Sequence, residues 1–237
     1  MSFKLNHLSY GVRLFASGLA VVALIGLGLA TSTPSAPTNA AGNKYIGADK
    51  CKSCHASETS GNPHGKWLET THAKAFEKLG SDDAKKIGKE KGAEDPQKAD
   101  ACLKCHVTAF GVPAAELKAK PEQLKNVQCE ACHGPGENHM KARFAAAAAA
   151  GDNPDTSKRQ VVPEGEITVK VEPKDCKVCH HDQSPTFKPF CFHERLEKIA
   201  HYDPRSGHKI EKPLTACPCD DDCGCKKGDC AKLPKKQ

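Results

Sequence analysis

Cys129-Glu130-Ala131-Cys132-His133-Gly134-Pro135-Gly136-Glu137-Asn138-His139 carries the same chemistry twice over. Its first half is C-x-x-C-H, the pattern for covalent attachment of a c-type haem. Two thiols add across the haem vinyl groups, and the adjoining imidazole ligates the iron from the proximal side. The second half sets another imidazole, His139, six residues on, beyond a Gly-Pro-Gly turn. A ligand so close to His133 would have to wrap around the porphyrin edge to reach the open face of the same haem. His139 is better placed to serve a neighbouring haem, which requires haems packed side by side.

Working outward, the pattern recurs at Cys51-x-x-Cys54-His55, Cys102-x-x-Cys105-His106 and Cys176-x-x-Cys179-His180. A lone C-x-x-C also suits a redox dithiol or half a zinc site. Two zinc sites built from eight cysteines and four histidines would not explain why His is always the fifth residue. The expectation is four covalent haems, one per motif. First cysteines are 51, 27 and 47 residues apart, so the chain is one irregular domain around a haem cluster and not a regular repeat array.

The N-terminus reads as a secretory signal. Lys4 and Arg13 precede an apolar run from Leu14 to Ala30, and a Ser/Thr/Pro/Ala-rich stretch continues to Ala41. The run is close to the roughly 18 residues that span a bilayer, so an uncleaved membrane anchor is the alternative. Either way the remainder is exported, to the periplasm, where c-type haems are attached and disulfides persist. Residues 1–41 are thus signal and linker, 42–212 the tetrahaem domain and 213–237 a cysteine-rich tail. With 5% aromatic and 27% charged residues the chain has poor material for a conventional core. Haem macrocycles supply the missing apolar surface. The formal charge of +6 loses the two cations of the leader, and eight propionates offset the rest to about zero in the oxidised state. No block of Lys and Arg forms a nucleic-acid stripe, so nucleic acid is excluded as a partner.

The expected fold is mainly α with little β. Leu68, His72, Phe76 and Leu79 share one face of a helix expected over Trp67–Leu79. His72 lies among those apolar neighbours; it is either a hydrogen-bonded core histidine or, since open irons need imidazoles, a ligand. Residues 81–100 read as an exposed helix and loop. A helix is expected over Lys141–Ala150, where six alanines end at Gly151. Residues 161–171 read as a small hairpin, and 191–201 as helix. Cys217, Cys219, Cys223, Cys225 and Cys230 crowd into fourteen residues and, with Cys191, lie outside the attachment motifs. They suit disulfides in a flexible tail, or a soft-metal site for Cu(I) or zinc.

The sixth iron ligand separates a carrier from an enzyme. Of two methionines, Met1 leaves with the signal and Met140 serves one haem at most. Histidine is therefore the available ligand, and low potentials are expected. Outside the signal the histidines that follow no attachment cysteine are His64, His72, His139, His181, His193, His201 and His208. His181 is badly placed for its own haem, and His193 and His208 read as surface or hydrogen-bonding residues.

From Tyr45-Ile46-Gly47-Ala48-Asp49-Lys50-Cys51 to His201 the sequence resembles the tetrahaem cytochrome c-554 family. The resemblance is carried by Trp67 through His72-Ala73, by Cys129 through Gly136 and His139, and by Ser184-Pro185-Thr186-Phe187 leading to Ile199-Ala200-His201. It implies distal roles for His72, His139 and His201, which leaves the haem on His106 five-coordinate. It also implies a mainly helical fold around stacked haem pairs, and electron carriage away from hydroxylamine oxidoreductase. The leading expectation is a periplasmic electron carrier with redox-protein partners and no catalytic residues. The alternatives are a haem enzyme reducing a small nitrogen oxide at the His106 iron, with His64 the residue able to close that site, and a soft-metal binder acting through its tail.

Overall fold

Each attachment motif lies on a short helix or its last turn, and that placement organises the chain. The computed structural model describes residues 42–206 apart from 152–154, 156, 160 and 189. The leader 1–41, His208 and the tail cysteines lie outside the described residues, as does the side chain of His193. Helix α1 (Ala48–His55) carries the first motif and ends on its histidine. The chain then runs through α2 (Pro63–Leu68), α3 (Ala75–Lys78) and α4 (Asp82–Glu90) to α5 (Asp100–His106), which ends on the second. The third occupies α6 (Cys129–His133), and the 13-residue α7 (Glu137–Ala149) follows directly. Helix α8 (Pro173–Lys177) begins the fourth motif, and α9 (Phe192–Leu196) follows it. Cysteines at i and i+3 with histidine at i+4 fall on one face of a helical turn. Beyond α8 the turn is kept because the amides of Cys179 and His180 both donate to the Cys176 carbonyl, at 3.2 and 3.0 Å.

The fold is mainly helical; among the described residues there are isolated bridges but no β-strand. The hairpin expected over 161–171 is absent from them. Val161 and Val169 are exposed, and the backbone of Thr168 bonds across the chain to His133 instead of along a ladder. The helix expected over Trp67–Leu79 is also broken, into the end of α2, a 3-10 turn at Thr71–Lys74, and α3. An unbroken helix would bond the Phe76 amide to the His72 carbonyl. Here the Phe76 amide donates to Asn126 Oδ1 at 2.7 Å, and the His72 carbonyl accepts from the Val127 amide at 3.1 Å. Thr70 Oγ1 donates to the Trp67 carbonyl at 2.7 Å and occupies another helical acceptor. The expected apolar face is split accordingly: Leu79 is buried and Leu68 exposed. Helix α7 matches its alanine signal, and Gly151 follows it with φ 68°.

Apolar packing between side chains is sparse. Tyr45, Ala119 and Leu124 are buried together against Ala109, Val112 and Leu117. Polar groups also tie distant segments together. Glu130, inside the third motif, is 1% exposed. Its carboxylate accepts from the amides of Ile46 (3.0 Å), Gly47 (2.8 Å) and Gly136 (2.7 Å). The stretch before α1 is thereby fastened to the turn after α6. Gly47 has φ 81°, and a Cβ on Gly136 would lie 3.3 Å from Glu130 Oε1, so both positions favour glycine. No helix among the described residues is long and apolar enough to cross a membrane.

Candidate haem site

The twelve attachment residues lie on four helical turns, and the turns approach one another in pairs. The Cys51 thiol lies beside that of Cys129, and the Cys105 thiol beside that of Cys179. The first motif therefore adjoins the third, and the second adjoins the fourth. Burial pushes Cys132 up to about 12 and Cys176 up to about 11, so both remain thiols. That is the form whose S–H adds across a vinyl group to make a thioether.

Three of the motif histidines face a histidine from elsewhere in the chain. Ring centres are 6.1 Å apart for His55 and His139, 6.1 Å for His72 and His180, and 5.9 Å for His133 and His201. A metal–nitrogen bond is about 2 Å and a ring nitrogen is roughly 1.2 Å from its ring centre, so two imidazoles flanking one iron have centres about 6.4 Å apart. Rings stacked face to face come closer, as the 4.5 Å stack of His180 on Phe190 shows. The three spacings fit an iron held between each pair. Among the described residues no ring faces His106 in this way, and His64 is buried against Trp67 with ring centres 5.5 Å apart. Nor do three or more His, Cys, Asp or Glu converge there as a bare zinc ion would need.

The ring nitrogens are sorted by their partners. Nδ1 of His106 bonds to the Ala75 carbonyl at 2.5 Å, that of His133 to the Thr168 carbonyl at 2.5 Å, and that of His201 to the Ile199 carbonyl at 3.0 Å. A carbonyl only accepts, so each Nδ1 carries the proton and Nε2 keeps its lone pair for a metal. His139 Nδ1 bonds to a carboxylate oxygen, Glu166 Oε1, at 2.7 Å. Burial holds the imidazoles of His55, His72, His133 and His180 below the ordinary histidine range, which favours the neutral, ligating form. After burial, His55 is depressed further by His139, His133 and His201, and His180 by His72. The imidazoles thus form one group of four and a separate pair.

His72, His139 and His201 are each brought opposite an attachment histidine. The acceptors behind the rings, Glu166 and the carbonyls of Ala75, Thr168 and Ile199, were not legible there. Glu166 lies 27 residues from His139 in a segment that reads as strand and turn. A cavity of about 400 Å³ adjoins α5, walled by Phe76, Leu103, Val107, Phe110, Leu117 and Leu124.

Repeated C-x-x-C-H turns on a helical scaffold, with facing imidazoles, define a multihaem c-type cytochrome carrying covalently bound haem. Residues 50–134 match the family of cytochrome c554 and c-prime, a span that contains the first three motifs. The chain is 36% identical over 130 residues to cytochrome c-554 of Nitrosomonas europaea, covering 53% of this chain and 50% of that protein. The match therefore spans about half the length of that curated relative. The structure of reduced cytochrome c554 from the same organism is similar at a TM-score of 0.45 and 25% identity, over 74% of this chain and 87% of that one. Over these residues the chain is similar to the cytochrome c-554 family.

Proposed function

We propose that this protein is a periplasmic electron carrier in which four covalent haems pass single electrons between redox-protein partners. Haem supplies a one-electron iron couple. The three imidazole pairs spaced 5.9–6.1 Å apart carry this reading. Two strong ligands in both oxidation states leave no position for substrate and little to rearrange when an electron arrives. On this reading Cys51, Cys54, Cys102, Cys105, Cys129, Cys132, Cys176 and Cys179 anchor the haems. His55, His106, His133 and His180 are the proximal ligands, and His139, His201 and His72 are distal ligands opposite His55, His133 and His180. The adjoining first and third motifs, and second and fourth, support haems close enough for direct transfer. A haem enzyme of the hydroxylamine oxidoreductase kind is the proposed electron donor, on the family resemblance.

One observation favours a second reading. His106 lacks a facing imidazole among the described residues, so its iron would have an open position for nitric oxide or a similar ligand. Reducing the haem-loaded protein fully, adding nitric oxide and following both haem reoxidation and product formation separates the two. We expect binding at one haem of four with slow or absent turnover. Reoxidation as fast as partner-driven transfer would make the protein an enzyme.

A further inference from the structure

The acceptors behind the paired imidazoles are not equivalent, and the difference is one of charge. His133 and His201 each donate Nδ1–H to a neutral backbone carbonyl, of Thr168 and Ile199. His139 donates to the carboxylate of Glu166. The two side chains are 15% and 10% exposed, so water screens the contact weakly. The second oxygen, Glu166 Oε2, accepts from Arg143 Nη2 at 2.8 Å. Arg143 is one turn beyond His139 on α7 and fixed on the same side. It also reaches the Val161 carbonyl, through Nη1 at 3.4 Å, while its buried Nε lacks a hydrogen-bond partner. The carboxylate is thus held between an imidazole and a guanidinium.

We propose that Glu166, backed by Arg143, strengthens His139 as a donor and so lowers the reduction potential of the haem held between His55 and His139. The proposal rests on the reading of His139 as that haem's distal ligand. A carboxylate accepting Nδ1–H pushes electron density through the ring toward Nε2. A stronger donor favours ferric over ferrous iron; the couple gains or loses one electron with no bond made or broken. Arg143 withdraws part of the negative charge, so the two residues act in opposite directions on one iron. The segment 163–168 bears on two ligands at once: Glu166 presents a charged acceptor to His139, and Thr168 a neutral one to His133. Residues that read as a hairpin serve as a strap that makes neighbouring haems unequal.

The test is a spectroelectrochemical titration of the four-haem protein, with dithionite as reductant, on the parent, Glu166→Gln and Arg143→Met. In Glu166→Gln the amide oxygen still accepts the hydrogen bond, so the low-spin count should be unchanged. At fixed potential one haem should become roughly tenfold more reduced, which is 59 mV for a one-electron couple. Arg143→Met should move the same haem the other way. The proposal is overturned if no haem moves by threefold, or if both variants move it in one direction. Conversion of that haem to high spin in Glu166→Gln also overturns it, because the contact would then only hold the ring in place. His139→Gly separates the two claims. If it removes one low-spin haem while Glu166→Gln is silent, the tuning fails and the ligand stands. If it leaves every low-spin haem intact, the ligand reading itself fails.

Discussion

Glu130→Ala would strip a buried carboxylate from three backbone amides and leave them in a place water does not reach. Those amides belong to Ile46, Gly47 and Gly136, bonded at 2.7–3.0 Å. A buried donor left unsatisfied costs about 1–3 kcal/mol, and three set an upper range of roughly 3–9 kcal/mol. Burying the charge already opposes this: burial raises the Glu130 pKa, the three amides only partly offsetting it, so removing the charge recovers some of the loss. A net cost of about 3–5 kcal/mol follows, the lower part of that range. For a domain of this size each kcal/mol moves Tm by about 2–4 °C, so the transition should fall by about 6–20 °C. The assay is thermal unfolding of the haem-loaded protein, followed at 222 nm and in the Soret band. Glu130→Gln, which keeps one accepting oxygen, should fall between parent and Glu130→Ala. Proteolysis should begin near residues 46–47, which lose their bonds to Glu130. A shift under 2 °C in Glu130→Ala, with that segment still protected, would refute the reasoning.

Two further outcomes are expected. Protein matured with haem-attachment machinery should show an intact mass with four covalent haems, resistant to acid-acetone extraction; bound zinc, or fewer haems after full maturation, would contradict the four-motif reading. Truncation after Thr215 should leave haem spectra and the redox titration unchanged, since the cysteines removed belong to no attachment motif, and a moved potential would mean the tail bears on the cluster.

The attachment turns were legible because their chemistry is local. Cys51, Cys54 and His55 need only one helical turn to share a face, and the other motifs repeat that spacing. The alanine run of α7 is likewise local. Trp67–Leu79 misled because its periodicity says nothing about Asn126 and Val127, which take the hydrogen bonds an unbroken helix needs. Residues 161–171 have strand-like composition, but their acceptors are spent on His133 and His139. Glu130 occupies a variable position of its motif, so no pattern separates it from a solvated glutamate. Its partners are backbone amides of residues 46, 47 and 136, and backbone amides leave no mark on side-chain identity. His72 and His139 could be singled out as ligand candidates from the surplus of irons over methionines. Which attachment histidine each one faces is set by contacts across the fold.

The central claim, three irons flanked by paired imidazoles and a fourth with one, is tested most directly by electron paramagnetic resonance of the fully oxidised, four-haem protein. The account predicts three low-spin ferric haems and one high-spin haem, the last being the one that binds carbon monoxide after reduction. Four low-spin haems would mean that His64 or another residue closes the His106 site. Two or more high-spin haems would contradict the pairing of His72, His139 and His201 with the attachment histidines.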